Sequence, residues 1–409
     1  MLNKDNVREL AYVVDVDNIT PIEGYDRVEL AHVGGWTIVV GKKEFNIGDP
    51  AIYFEIDSKL PEVEPFTNME FLAKKKYKIK TQKMCKSISQ GLLLSAKNFG
   101  WTIDRGHFDE MCCIVDSNGV KHLPEGETRF LTKQLGVTYA TPEDNIRKGA
   151  SADKYKKMAQ RHKKLFSQPP FRWLMKKEWG RKVLFFFFGK KKDKRTWPAW
   201  VQKTDEERIQ NMPWILKDKE EWIATEKIDG TSTTFTIKRG HGLKKNEFYV
   251  CSRNVVFDKP DKKCYYETNV YTEMAEKYHM EEVLTEMLDI YPEAEWITIQ
   301  GETFGKDIQK RNYSMQDHDF RAFNLIMSHC GRWNTEAMTK ELYDRFKIPS
   351  VPILDTKFIL PDTVEELLQY ANGYSVIDNE MREGIVFRSK DGTKSFKAVS
   401  NEFLLKYHQ

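Results

Sequence analysis

The chain has 409 residues, 40% of them hydrophobic and 31% charged, which suits a soluble globular protein with two buried cores and excludes disorder throughout. The formal net charge is only +4, but 18 Lys and Arg against three acids (Asp153, Glu178, Asp193) fall between Arg147 and Arg195, so the rest is acidic on balance. The six cysteines lack CxxC spacing and the nine histidines lack HxH or HExxH spacing, which excludes a disulfide framework and a zinc cage and leaves reduced thiols in the cytoplasm.

The N-terminal MLNKDNVREL carries no apolar h-region. Short strands follow at Leu10–Val16, Arg27–Val33, Thr37–Val40, Ala51–Ile56 and Gly91–Ser95, separated by Glu23-Gly24, Gly34-Gly35 and Gly48-Asp49-Pro50. About five such strands suit a small closed barrel of the OB type, a common oligonucleotide-binding module. The run Lys74-Lys-Lys-Tyr-Lys-Ile-Lys80 lies on or beside it. It is either a solvated charged hairpin or a phosphate-tracking surface, in which Lys74, Lys76 and Lys78 contact backbone and Tyr77 stacks.

The basic stretch begins near Thr141, with helical patterning over Ala152–Phe166 and a break at Pro169-Pro170. Phe171–Phe188 alternates basic and bulky apolar residues, as an interfacial membrane element does. The alternative is a helix and strand packed on a neighbouring domain, the buried strand being the closing run Val183-Leu-Phe-Phe-Phe-Phe188. It is too short for the ~20 residues of a bilayer span.

The last ~210 residues mix strands and helices without a parallel βαβ rhythm, an α+β pattern with antiparallel sheets. Strands are expected at Trp222–Thr225, Thr233–Lys238, Glu247–Cys251, Trp296–Gln300, Arg321–Ile326, Ile385–Arg388 and Ser395–Val399. Helices are expected at Tyr271–Ile290, Thr335–Phe346 and Thr363–Tyr370. The domains expected are 1–143 (barrel), 144–195 (basic insertion) and 196–409 (chemistry).

At Glu226-Lys227-Ile228-Asp229-Gly230 a strand ends in Lys-x-Asp-Gly. Alone this is a surface turn. In order after it come Ser252-Arg253-Asn254, Gly301-Glu302-Thr303-Phe304-Gly305 with Ile308-Gln309-Lys310, Phe320-Arg321-Ala322-Phe323-Asn324, Glu383-Gly384-Ile385-Val386-Phe387 and Ser395-Phe396-Lys397-Ala398-Val399. Together these resemble the ordered motifs of the lysyl-nucleotidyltransferases, the superfamily of DNA ligases, RNA ligases and capping enzymes. The GE-x-x-G-x-x-IQ segment resembles RNA ligases in particular. Pro198–Asn211, PAWVQKTDEERIQN, is similar to the Deinococcus- and Naegleria-type RNA ligases, which also carry an OB domain N-terminally. The resemblance implies an ATP-grasp-like nucleotidyltransferase fold of antiparallel sheets with flanking helices.

It also implies chemistry. Lys227 would take AMP from ATP, pass it to a 5′-phosphate, and a 3′-hydroxyl would then displace AMP. A lysine attacks phosphorus only when neutral, against a reference pKa of ~10.4, so burial and the cations Lys397, Lys394 and Arg253 are expected to lower it. Lys397 would contact the α-phosphate, with Lys394 as the candidate assisting lysine. Glu226 and Ile228 would flank the nucleotide. Glu302 and Glu383 would bind ribose and, with Asp229, hold magnesium or manganese mainly through water. Phe323 would stack on adenine, with Phe320 as the alternative, and Arg253 would meet ribose or the acceptor phosphate. Lys203, Arg208 and Gln210, otherwise a helix's solvated face, become nucleic-acid contacts. Asn324 stands where many members have Asp, which weakens a metal role there.

The activity expected is thus an ATP-dependent RNA ligase of RNA repair, a monomer acting on RNA or nicked duplexes with a ribonucleotide 3′-OH. Two rivals remain: a GTP-using capping-type guanylyltransferase and a non-catalytic RNA-binding protein.

Overall fold

The computed structural model describes residues 1–3, 5–105, 112–115, 121–122, 129–140, 163–166, 168–188, 197–203, 205–257, 268–333 and 336–407. Most of the helix expected over Ala152–Phe166 lies outside them; Lys163–Phe166 is helical. Two compact units result, residues 1–138 with 197–409, and residues 139–196.

In the first unit the N-terminal strands alternate buried and half-buried positions, as in Trp36–Gly41, so each has one face to hide. Strands Ala11–Asp15, Pro50–Phe54 and Leu92–Leu94 form one antiparallel sheet, and Asn18–Ile22, Tyr25–Val33 and Trp36–Gly41 a second. Gln90 N–H donates to Thr37 O at 2.7 Å and Val39 N–H to Ser89 Oγ at 3.1 Å, joining the two. This is the OB-type barrel. Trp36 stacks on Tyr53 at 6.0 Å inside it, and Tyr12 meets Tyr53 edge-on at 5.5 Å.

The basic run beside the barrel is not a hairpin. Lys74 closes the helix Glu70–Lys74, and Lys76 and Tyr77 take left-handed φ of 54° and 57°. Lys74 and Lys76 are exposed, whereas Lys78 is buried and bridged to Lys59. Tyr77 packs on the barrel core, so it is no stacking platform.

The remainder of this unit is two antiparallel sheets. One runs in the order Ile353–Ile359, Glu221–Lys227, Gly384–Ser389, Ser395–Val399. The other runs Val256–Phe257, Glu247–Ser252, Thr231–Lys238, Trp296–Gly305, His318–Met327, Gly331–Trp333. Helix Val364–Ala371, with a capping box between Thr363 and Glu366, covers the first. Trp222, Phe387 and Phe396 are fully buried there, each worth about 1.5–3 kcal/mol or more in transfer terms.

Helices Val270–Lys277 and Met280–Ile290 cover the second sheet. The sequence pattern reads as one helix, but His279 at φ 50° splits it, and the turn brings Met280, Leu284, Met287 and Leu288 to full burial. Strand Ile353–Ile359 was not expected; its burial pattern is mostly intermediate and exposed, leaving no period to read.

The barrel docks on this domain. Gly35, at φ 79°, lies so close to Val364 that a Cβ there would stand 2.4 Å from Val364 Cγ1. Ile88 packs with Val399 and Leu404, and Lys83 Nζ donates to Leu405 O at 3.3 Å.

The second unit corrects the buried strand expected at Val183–Phe188. Pro169–Lys176 and Glu178–Phe188 are helices, with Pro169 opening the first. Phe171, Leu174 and Met175, then Leu184, Phe185 and Phe188, recur at three- and four-residue steps. They gather with Phe166 in one cluster. A Cβ on Gly180 would stand 2.3 Å from Leu174 O, so only glycine lets the helices approach.

Candidate active site

Strand Glu221–Lys227 belongs to the four-stranded sheet and Thr231–Lys238 to the six-stranded one. The turn Ile228-Asp229-Gly230 crosses between them. A Cβ on Gly230 would stand 2.3 Å from Thr303 O, which explains the glycine of the Lys-x-Asp-Gly pattern. Lys227 therefore ends its strand at the mouth of a cleft between the sheets, with a cavity volume of about 400 Å³.

Lys227 pairs in register with Gly384, which sets Glu383 beside it. Lys227 Nζ donates to Glu383 Oε2 at 2.7 Å. Glu302 reaches the cleft from strand Trp296–Gly305, in register with Ser232. Asp229 N–H donates to Tyr313 Oη at 2.7 Å, and Gln309 Nε2 to Gly230 O at 2.7 Å, so the turn is held from both sides.

Burial lowers the pKa of Lys227, but Glu383, Glu302 and Asp229 outweigh it, and the net shift is upward. This corrects the expectation that cations would lower it. Burial pushes Glu302 up to about 8, with Glu383 and Asp229 adding like charge against the opposing pull of Lys227. Asp229 is pushed up to about 7 by burial and then by Glu383. Lys227 is thus stored as an ammonium in a cluster of carboxyl groups that cannot all ionise together.

Cations line the other wall. Burial, then the charge of Lys227, lowers the pKa of Lys397. Lys397 Nζ lies 3.5 Å from Asp205 Oδ1, and the other oxygen of Asp205 accepts from Arg253. Burial lowers the pKa of Arg208, whose buried Nη1 has no hydrogen-bond partner; its guanidinium stands 5.9 Å over the Trp36 ring. It joins the barrel to the cleft. Lys397 N–H donates to Glu207 O at 2.7 Å, tying the segment around Arg208 to the last strand.

Ile228, Phe323, Val351, Val386 and Val399 make an apolar slot in the same cleft. Beside it Glu226 is buried, with Oε2 accepting from Val376 N–H at 2.9 Å and Oε1 unpartnered. A slot of this kind ending in a lone acceptor fits a purine base carrying an exocyclic amine. The cations suit phosphates, and the carboxyl groups suit a water-clad divalent cation. Among the described residues, no three His, Cys, Asp or Glu side chains are grouped to cage a metal by themselves.

The structure brings together Glu226, Lys227, Ile228, Arg253, Glu302, Phe323, Glu383, Lys397 and Arg208 at the cleft, with Asp229 on the turn that closes it. It does not bring Phe320, which is fully buried against Phe235 and Tyr278 because odd and even positions of a strand face opposite ways. Lys394 is likewise absent: it pairs with Asp218 on the surface. Gln210 is buried near Gly35, and Lys203 Nζ donates to Asn254 Oδ1 at 2.8 Å, outside the cleft lining. Lys74, Lys76 and Lys78 stand beside the barrel. Asn324 is buried and donates through Nδ2 to Gln300 Oε1 at 2.9 Å, while Gln300 Nε2 donates to Gln202 O at 2.7 Å. Asn324 therefore helps anchor the incoming 197–203 segment.

Asp205, Glu206, Gln309 and Arg388 also line the cleft and were not expected there. Asp205 and Glu206 were visible only as part of an acidic run. Arg388 follows the Glu-Gly-Ile-Val-Phe pattern, and its Nη1 donates to Phe323 O at 2.6 Å, setting that ring's backbone.

Comparison with known proteins agrees with this geometry. Residues 220–408 match the family described as RNA ligase, and residues 10–96 match an OB-fold domain. An RNA ligase of Naegleria gruberi solved with pyrophosphate superposes with a TM-score of 0.62 at 27% identity, covering 98% of this chain and 99% of that one. A mutant of that enzyme solved with ATP and manganese gives 0.63 at 26% identity, covering 98% and 100%. Another, with AMP and manganese, gives 0.63 at 26%, covering 98% and 99%. No curated protein matches the sequence.

Proposed function

We propose that this chain, whose residues 220–408 match the RNA ligase family, joins 3′-hydroxyl and 5′-phosphate ends of RNA through an AMP adduct on Lys227. The observation that carries this is the 2.7 Å pair of Lys227 with Glu383, at the seam of two sheets, facing Lys397 and Arg253 across one cleft. ATP fits the cleft by parts. Adenine enters the slot beneath Phe323, its exocyclic amine donates to Glu226 Oε1, and Lys397 and Arg253 receive phosphate oxygens.

Lys227 must lose its proton before it attacks. A divalent cation, magnesium or manganese, when bound neutralises phosphate and carboxylate charge. Asp229, Glu302 and Glu383 are the residues that would hold its waters. Should Glu383 turn to those waters, burial would prevail at Lys227 and the ammonium proton would pass to solvent. The amine attacks the α-phosphorus, the N–P bond forms and pyrophosphate departs. A 5′-phosphate then takes AMP from the lysine, and a 3′-hydroxyl displaces AMP to close the strand. Lys397 and Arg253 stabilise charge on the AMP phosphorus in the first two steps, where it is attacked, and on the departing AMP in the third, where the 3′-hydroxyl attacks the phosphorus of the RNA 5′-phosphate. The Asp205 carboxylate that holds both cations marks the position of the incoming phosphate. The N-terminal barrel beside the cleft would hold the nucleic acid, and the substrate proposed is a nicked duplex with a ribonucleotide 3′-OH.

Incubation with α-labelled ATP and magnesium or manganese tests this. Label on the wild-type protein, lost in Lys227→Ala, is expected. An unlabelled wild-type protein, or labelling by GTP in place of ATP, refutes it. Sealing of nicks with RNA or DNA on either side then fixes the preferred end.

A further inference from the structure

Trp173 and Trp179 are each 55% exposed although they sit in a helical pair that packs Phe171, Phe185 and Phe188 into one cluster. Their rings touch, 6.2 Å apart at 77°, so they form one surface. Helical spacing puts Lys176 on the face of Trp173, and Lys182 and Val183 on that of Trp179; Arg172 adjoins Trp173 in sequence, and all are exposed. Lys177, between the helices, is exposed as well. None of these side chains serves the cleft.

We propose that the helical pair Pro169–Lys176 and Glu178–Phe188 is a stacking platform for single-stranded RNA, with Trp173 and Trp179 taking bases and Arg172, Lys176, Lys177 and Lys182 taking phosphates. The inference rests on the chain's being an enzyme of RNA. Aromatic faces interleaved with cations fit a nucleic-acid strand because every base has a π-face and every linkage a charge. Charge balance points the same way. Residues 147–195 carry a basic surplus of 15 against +4 for the whole chain, leaving −11 elsewhere. A polyanion is drawn more strongly to this segment than to that net-acidic remainder. An anionic membrane fits less well. Phe171, Phe185 and Phe188 turn inward to Phe166 and Leu184, and among the described residues of the pair two indoles and Val183 are the large apolar side chains left exposed to a bilayer.

Binding of a 5′-phosphorylated single-stranded oligoribonucleotide to the full chain, across a salt series, tests the platform. Trp173→Ala with Trp179→Ala is expected to weaken binding by about 5-fold per ring, or ~30-fold together, without changing the salt slope. Phenylalanine at both positions should keep most of the affinity. Lys176→Ala with Lys177→Ala and Lys182→Ala should flatten the slope by ~0.7 per lost phosphate contact. Labelling of Lys227 by ATP should be unchanged in all. Wild-type RNA affinity in the double alanine variant overturns the proposal. So does a variant that keeps RNA but loses binding to phosphatidylserine vesicles. If the wild-type protein takes no label, the ligase reading fails, and RNA binding still decides the platform.

Discussion

Glu383→Gln is the perturbation that most directly tests how Lys227 is stored. The ion pair spans 2.7 Å, with 24% of the Lys227 side chain and 11% of Glu383 exposed. At that distance Coulomb's law gives ~1.5 kcal/mol in water and ~6 kcal/mol at an effective dielectric constant of ~20. The partial exposure places the pair between these limits. Loss of Glu383 also removes a like charge from Glu302 and Asp229, which then ionise more easily and restore part of the field on Lys227. The lower limit is therefore the safer figure, and it still corresponds to a fall of about one pKa unit for Lys227. Burial, already the largest influence on this amine, acts in the same direction. Competitive acetylation with trace acetic anhydride, read by mass spectrometry of the peptide containing Lys227, follows the neutral amine across pH. A titration midpoint in Glu383→Gln equal to or above that of the wild type refutes the carboxylate-storage account.

Three further outcomes follow from the same geometry. Phe323→Ala should raise the KM for ATP in lysine labelling about tenfold while sparing stability, whereas Phe320→Ala should cost ~3–5 kcal/mol in chemical denaturation, because only the second ring fills the core; equal loss of stability in both contradicts this. Asp205→Asn should lower the KM for ATP up to about fivefold, roughly the worth of an exposed ion pair, since it frees Arg253 and Lys397 of a competing carboxylate; a raised KM would make Asp205 a nucleotide contact instead. Glu302 and Asp229 titrate near 8 and 7 in the native state, against ordinary values of 4.5 and 3.8. The native protein thus holds protons that the unfolded chain releases. Their stabilisation is fully present below about pH 4 and is lost as pH rises through 7 and 8. Glu302→Gln should show a smaller fall in Tm between pH 5 and 8 than wild type, and an equal or steeper fall removes the case for a protonated Glu302.

The sequence by itself determined the two sheet-rich domains and the lysine. Turn signals such as Gly34-Gly35 and Gly48-Asp49-Pro50 mark off the short barrel strands, and Asp229-Gly230 marks the turn after Lys227. The ordered motifs name Lys227, Glu302, Glu383, Arg253 and Lys397, because strand ends that meet at one seam must each carry their polar residue at a fixed place. Tertiary structure alone decided the rest. Phe320 and Phe323 differ only in which sheet face they occupy, and a one-residue bulge between Gln300 and Gly301 lies in the pairing that sets this. Lys394 and Lys397 differ only in whether Asp218 or the cleft lies within reach. The segment after Pro169 reads as a strand when its Phe run is taken alone, and becomes two helices because Gly180 lets them close around Phe166 and Leu184. Charge balance at Lys227 was likewise out of reach of the sequence. A pKa sums over neighbours and burial, and both arise only when distant strands meet; here they are carboxylates where cations were expected.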